Sequence, residues 1–190
     1  MAMISLLMDA DAFKVMTLFG ISPGSRFNRK EIKEKTRLNN IPLDRALKAA
    51  LASGVLERDG NCYSLNQEDE KSKELASLVS WQYKSMKSLP LDVYFLLTDF
   101  MGAASLERGI ELYLFGSYSK LVYSKKSDVD IAVLCTKTTD KAALKKVVRK
   151  LEARYGKNIE LHFFDKQSFH KSHKDPLVKD ILKNGLRLIG

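Results

Sequence analysis

The run FGSYSKLVYSKKSDVDIAVL, from Phe115 to Leu134, sets two carboxylates, Asp128 and Asp130, one residue apart at the mouth of an apolar stretch. Like charges this close repel unless a cation lies between them. In a strand, alternate side chains share a face, so Asp128 and Asp130 are expected to project together while Val129, Ile131 and Val133 point to a packed side. Two carboxylates on one rigid strand form a hard-oxygen cradle suited to Mg²⁺, which takes few protein ligands and completes its shell with water and substrate phosphates. Upstream, Gly116 follows the apolar run ELYLF, where a missing Cβ lets backbone come close to a phosphate, and Ser117 adds a hydroxyl donor.

The chain around this run alternates strand and helix. ELYLF and DVDIAVLC read as strands, DKAALKKVVRKLEARYG as a helix with Leu144, Val147, Val148, Leu151 and Tyr155 inward, and NIELHFF as a third strand. DPLVKDILKNG follows as a helix with Asp175 as N-cap and Pro176 in its first turn, then LRLI as a short last strand. Before them, residues 91–108 carry Val93, Leu96, Leu97, Phe100 and Ala104 at helical spacing. Together they predict an α/β (α+β) domain with a mixed sheet over residues 91–190.

The arrangement of hydrophobic strand, Gly-Ser, ten residues, Asp-x-Asp and hydrophobic strand resembles the nucleotidyltransferase superfamily that includes DNA polymerase beta and kanamycin nucleotidyltransferase. It is most similar to the minimal nucleotidyltransferases, and the resemblance spans about residues 91–190. It implies that Gly116 and Ser117 hold nucleotide phosphates, that Lys120 stands where many members place a triphosphate-binding Arg, and that Asp128 and Asp130 bind metal. The family's third carboxylate sits between hydrophobic residues at the start of a later strand, a place that Ile159-Glu160-Leu161 fits. Glu160 is therefore expected as a catalytic and metal-binding residue beside Asp128 and Asp130. Where many relatives continue Gly-Ser as x-Ala-Arg-Gly, this chain has Tyr118-Ser119-Lys120-Leu121, so Leu121 replaces a turn glycine.

The implied reaction moves a nucleoside monophosphate, AMP in the first instance, from an NTP to a hydroxyl of a protein or small-molecule acceptor. Two Mg²⁺ ions are expected, with Mn²⁺ as the alternative. Minimal nucleotidyltransferases often accompany HEPN-type toxins, which makes a protein acceptor of that type and an antitoxin role family-level expectations.

The first third has a different character. Ala12 to Gly20 reads as an apolar helix, Asn28 with Glu31 as a capped start of a second, and Pro42 opens a third with Leu43, Ala46, Leu47, Ala50 and Leu51 on one side. VLER, Asp59-Gly60 and NCYSL then read as a hairpin with a two-residue turn at Asp59-Gly60. Three helices followed by a hairpin resemble a winged helix-turn-helix over residues 1–66, with Arg45 and Lys48 on the helix that would enter a DNA groove. Residues 67–90 are expected as a connector helix with Leu75, Leu78, Val79 and Met86 on one side. The competing function is a DNA-binding transcriptional regulator whose nucleotidyltransferase domain senses nucleotide or is inactive. Double-stranded DNA, a docking protein and a second copy of the chain are the partners this domain admits.

Composition narrows the class. With 45% hydrophobic residues among 190, the chain can bury cores and is not intrinsically disordered. Its net charge of +9 lies mainly at the C-terminal end, where residues 111–190 hold seventeen Lys/Arg against nine Asp/Glu. That excess attracts nucleotides or nucleic acid. Two cysteines, Cys62 and Cys135, without a CxxC pair, exclude a disulfide framework and a zinc ribbon, and both are expected as buried thiols. His170 and His173, in HKSH, are expected on an exposed loop. The opening MAMISLLM lacks a basic flank and runs into Asp9 and Asp11, so neither a signal peptide nor a membrane span is expected, and a cytoplasmic location follows.

Overall fold

A computed structural model describes residues 9–190, in two compact units that divide between Phe95 and Leu96. The apolar opening, residues 1–8, lies outside the described residues. No helix among the described residues is long and apolar enough to cross a membrane.

In the N-terminal unit, helix α1 (Ala10–Ile21) begins where the Asp9 carboxylate accepts from the backbone N–H groups of Asp11 and Ala12. Strand β1 (Phe27–Asn28) leads into α2 (Arg29–Thr36) through a capping box, in which Asn28 and Glu31 each accept from the other's backbone N–H. These bonds satisfy N–H groups that the first helical turn leaves without partners. Helix α3 (Asn40–Ala52) buries Leu43, Ala46, Leu47 and Ala50, the expected face. Strands β2 (Leu56–Asp59) and β3 (Cys62–Leu65) form the hairpin, and β1 joins it in the antiparallel order β1-β3-β2. Asp59 pairs with Cys62, so the turn residues are Gly60 and Asn61, one position later than the expected Asp59-Gly60. Cys62 is only half-buried, unlike the expected buried thiol.

Helix α4 (Glu70–Ser85) packs Leu75, Ala76 and Val79 into the same core as Val15, Phe19, Ile32 and Leu43, so the segment expected as a connector builds the N-terminal unit. A Cβ on Gly20 would collide with the Val79 side chain and come within 2.9 Å of the Ala76 carbonyl, so α1 and α4 meet at closest approach there. Leu78, expected on the buried side, is 47% exposed because it lies to the flank of the face that Ser72, Leu75, Ala76 and Val79 share.

Helix α5 (Leu91–Ala104) spans the point of division and buries Val93, Leu96, Leu97, Phe100 and Ala104. The C-terminal unit then runs β4 (Glu111–Leu114), the short helix α6 (Gly116–Ser119), β5 (Val129–Cys135), α7 (Lys141–Tyr155), β6 (Ile159–Asp165), α8 (Lys166–Lys171), α9 (Pro176–Asn184) and β7 (Leu186–Ile189). Asp140 caps α7 and Asp175 caps α9, each accepting two backbone N–H bonds. The sheet order is β6-β5-β4-β7, with β5 parallel to β6 and the other pairs antiparallel.

Both faces of this sheet are covered. Tyr113, Phe115, Ala132, Leu134 and Phe164 pack under Phe169 of α8 and Val178 and Ile181 of α9. The alternate residues Leu112, Leu114, Val129, Ile131 and Val133 are fully buried. Asp130 is the one position of β5 that is not buried. Each large apolar side chain on the strand contributes about 1.5–3 kcal/mol by burial, and a slip of one residue would exchange the two faces. The register that aims Asp130 is therefore fixed by its apolar neighbours.

Candidate active site

The site lies at one end of the sheet, where β4 ends and β5 and β6 begin. Parallel pairing puts Asp130 opposite Glu160 and Ala132 opposite His162. Glu160 and His162, two residues apart, share the strand face that Asp130 occupies next door. Ligand atoms of Asp130, Glu160 and His162 lie within 4.8 Å of one another, with His162 Nε2 at 3.2 Å from Glu160 Oε1. The Phe115 ring meets the imidazole edge-on, centroids 5.1 Å apart, and so holds its plane.

Gly116 is required by this arrangement. Its φ is +69°, and a Cβ there would collide with the Asp130 carboxylate, whose Cγ would be 2.9 Å away. The missing side chain thus makes room for a site carboxylate. Phe115 N–H donates to the Asp130 carbonyl at 3.0 Å, extending the ladder to the first residue of the turn.

Asp128 falls just before β5, exposed, and not within the strand as expected. The reason is local: Val129 begins the pairing by donating to Asn158, which leaves Asp128 in the preceding loop. It still acts at a distance. Burial pushes the Asp130 carboxyl above its ordinary range, Glu160 and Asp128 push it further, and His162 draws it back. Two acids thus meet beside one imidazole while Asp128 acts on Asp130 from the preceding loop, an excess of negative charge that a divalent cation would balance. Two carboxylates and a ring nitrogen form a donor set of the right size and chemistry for such an ion.

The other expected residues divide. Ser117 is half-buried, in the first turn of α6, and its carbonyl accepts from Val122 N–H at 3.0 Å. Lys120 is turned toward α9, where its Nζ lies 2.8 Å from Asp180 Oδ2, and it is not gathered with the acidic group. Asp180 is held below the usual carboxylate range by Lys120 first and Asn184 second. Leu121 adopts φ +60°, the left-handed conformation that a turn glycine would take without strain. The loop behind it is pinned by Tyr118 stacked on Tyr123, ring centroids 4.6 Å apart, with Lys157 donating to the Tyr118 hydroxyl at 3.0 Å. Of the two histidines in HKSH, His170 sits on α8 and points to Glu111, while His173 is an exposed turn residue.

In the N-terminal unit, Arg45 and Lys48 are both exposed on α3. Arg45 is paired with Asp11 at 2.8 Å and Asp9 at 3.4 Å, and Asp44 next to it is paired with Arg29 at 2.7 Å.

His162 is the member of the cluster with Asp130 and Glu160 that sequence reasoning missed. The signal was present in the i, i+2 spacing after Glu160, but only the β5–β6 register gives that spacing a meaning.

Residues 107–190 match the polymerase beta, nucleotidyltransferase family. This stretch holds every candidate residue of the C-terminal site. Among solved structures, a crystal structure of a toxin-antitoxin with AMP-PNP is 27% identical, over 52% of this chain and 71% of that one, with a TM-score of 0.35. A mutant of the toxin-antitoxin MntA-HpeT is 26% identical, over 52% of this chain and 70% of that one, with a TM-score of 0.34. No curated protein matches.

Proposed function

We propose that the C-terminal unit is a divalent-metal-dependent nucleotidyltransferase that moves AMP from ATP to a hydroxyl of a protein acceptor. The observation that carries this reading is the convergence of Asp130, Glu160 and His162 against Gly116, inside the stretch that matches the nucleotidyltransferase family.

In the reaction, the acceptor oxygen bonds to the α-phosphorus as the bond to the bridging oxygen of the β-phosphate breaks, and pyrophosphate leaves. Asp128 and Asp130 would hold the divalent ions, Mg²⁺ or Mn²⁺, with Glu160 completing the shell of the second ion. The ions supply charge neutralisation of the phosphates and a lowered pKa for the acceptor hydroxyl. Gly116 keeps the Asp130 carboxylate against the turn, and Ser117 offers its hydroxyl to the phosphates from the first turn of α6. Glu160, exposed at the rim, receives the acceptor proton. Lys120 would leave Asp180 to reach the triphosphate. Positioning and electrostatics then suffice, with no nucleophilic side chain.

A protein acceptor is favoured over nucleic acid by Leu121 and Val122, which are 52% and 74% exposed on the loop between the two motifs. Exposed apolar side chains suit a protein surface better than a phosphate backbone. A HEPN-type toxin, and so an antitoxin role, is the acceptor class that the family resemblance implies. The test is incubation of the protein and cell extract with ATP labelled at the α- or γ-phosphate and Mg²⁺ or Mn²⁺. The α-label should enter a protein and the γ-label should not; absence of α-label transfer with any NTP and either ion would refute the reading.

The N-terminal element order α1-β1-α2-α3-β2-β3 supports a second component, a winged helix-turn-helix. Its reader helix is α3, but Arg45 and Asp44 are matched by intramolecular partners. Such pairing weakens the attraction to phosphates and favours a protein-docking role over a DNA-binding regulator. Gel-shift of the full chain on duplex DNA separates these: salt-sensitive binding that weakens in an Arg45→Ala, Lys48→Ala pair would restore the regulator.

A further inference from the structure

We infer that His162 is itself a ligand of the ion held by Asp130 and Glu160, and that its nitrogen makes this centre prefer Mn²⁺ to Mg²⁺. The inference rests on the nucleotidyltransferase reading for the purpose of the ion but not for its coordination.

Neighbouring strands lie about 4.8 Å apart, so residues paired across β5 and β6 bring their side chains within reach of one ion. Asp130 and Glu160 are such a pair. His162 follows two residues along β6 on the same face, and its own partner across the ladder is Ala132, fully buried and too small to compete for the space. The imidazole therefore leans back toward the carboxylates, and its Nε2 is the atom that faces them, 3.2 Å from Glu160 Oε1. Phe115 braces the ring plane through its edge-on contact. Phe115 is also the residue that leads into Gly116, so the turn expected to hold phosphate and the imidazole are braced against each other.

An ion entering among these three groups replaces the Glu160–His162 contact with two bonds to metal, from an oxygen and from a nitrogen. Mg²⁺ is a hard cation that favours oxygen and gives up its waters reluctantly. Mn²⁺ accepts imidazole readily, and affinity rises further along the series toward Co²⁺ and Zn²⁺. A site with two carboxylates and one imidazole thus differs in kind from an all-carboxylate site, and the difference is carried by one residue.

The test uses the full-length protein with Mn²⁺ alone, followed by electron paramagnetic resonance. Wild type should quench the free Mn²⁺ signal at concentrations where Mg²⁺ competes poorly, and its pulsed spectrum should show modulation from a directly bound ¹⁴N. His162→Gln, which offers an oxygen in place of the nitrogen, should lose that modulation and weaken Mn²⁺ on the order of tenfold while changing Mg²⁺ far less. Circular dichroism checks that the variant folds, and Asp130→Asn, which should lose both ions, checks that the site is the one observed. A wild-type spectrum without ¹⁴N modulation, or an unchanged Mn²⁺-to-Mg²⁺ preference in His162→Gln, overturns the inference. If ¹⁴N coordination is present yet no α-label moves from any NTP, the coordination stands and the nucleotidyl-transfer reading falls.

Discussion

Strand β4 and its neighbours carry a carboxylate problem at each end of the sheet, solved in opposite ways. At one end Glu111, 6% exposed, is met by Lys166 at 3.0 Å, His170 at 3.3 Å, Arg187 at 3.6 Å and the Tyr113 hydroxyl at 3.2 Å. At the other end Asp130 faces Glu160, with Asp128 nearby and, among the described residues, His162 to offset them. Burial alone would push the Glu111 carboxyl up, but Lys166, Tyr113 and His170 overcome it and hold the group below its usual range. Asp130 is pushed the other way. A buried acid met by cations and hydrogen-bond donors is finished as structure, whereas an acid left among acids is incomplete and has work for an incoming cation.

The contrast breaks or sharpens under mutation. Asp130→Asn should cut α-label transfer on the order of 10³-fold while raising the melting temperature in the absence of divalent ions, because it removes repulsion and charge burial. Glu111→Gln should do the reverse: it leaves transfer measurable and costs about 2 kcal/mol in chemical denaturation, since Lys166, Arg187 and the His170 ring lose their common partner while remaining partly in water. A melting temperature lowered by Asp130→Asn, or one unmoved by Glu111→Gln, would show that the two ends do not differ as described.

The pH dependence of stability should carry the same opposition in sign. A carboxyl whose folded pKa is depressed contributes stability above its unfolded value, about 4.3 for Glu, and loses it as pH falls through the folded pKa. The gap between wild type and Glu111→Gln should therefore close as pH falls below about 4. Asp130, with a raised folded pKa, favours the fold below its unfolded value, about 3.9, and loses that contribution as pH rises through the folded pKa. The advantage of Asp130→Asn should accordingly appear at neutral pH and vanish in acid, read as melting temperature in metal-free buffer. The smallest effect belongs to the loop between the motifs. Leu121→Gly relieves a left-handed backbone but frees the unfolded chain, so the two terms nearly cancel and the net gain should not exceed about 1 kcal/mol.

What the sequence revealed was local in origin. The Asn28–Glu31 box and the Asp175 cap with Pro176 behind it depend on residues within one helical turn, and all are present where spacing puts them. Leu43, Ala46, Leu47 and Ala50 needed only helical periodicity. Failures came where two segments had to be compared. The hairpin turn moved by one residue because Asp59 pairs with Cys62. Leu78 was misplaced because the buried side of α4 is set by α1. That Gly116, Asp130 and Glu160 lie together could be expected from motif and strand pattern, but the place of His162 beside them could not, since it depends on a parallel register across fifteen intervening helical residues of α7. Lys120 was readable as a cation beside the turn, and its attachment to Asp180 was not.

The order β6-β5-β4-β7 makes β5 an interior strand and β6 an edge. Asp130 is clamped by ladders on both sides, whereas Glu160 and His162 stand on a strand clamped on one side only. In amide exchange, β5 should open only with the whole C-terminal unit, and the outward N–H groups of β6 should exchange sooner. The site is then a vise with one fixed jaw and one that breathes, and bound metal should slow exchange chiefly along β6.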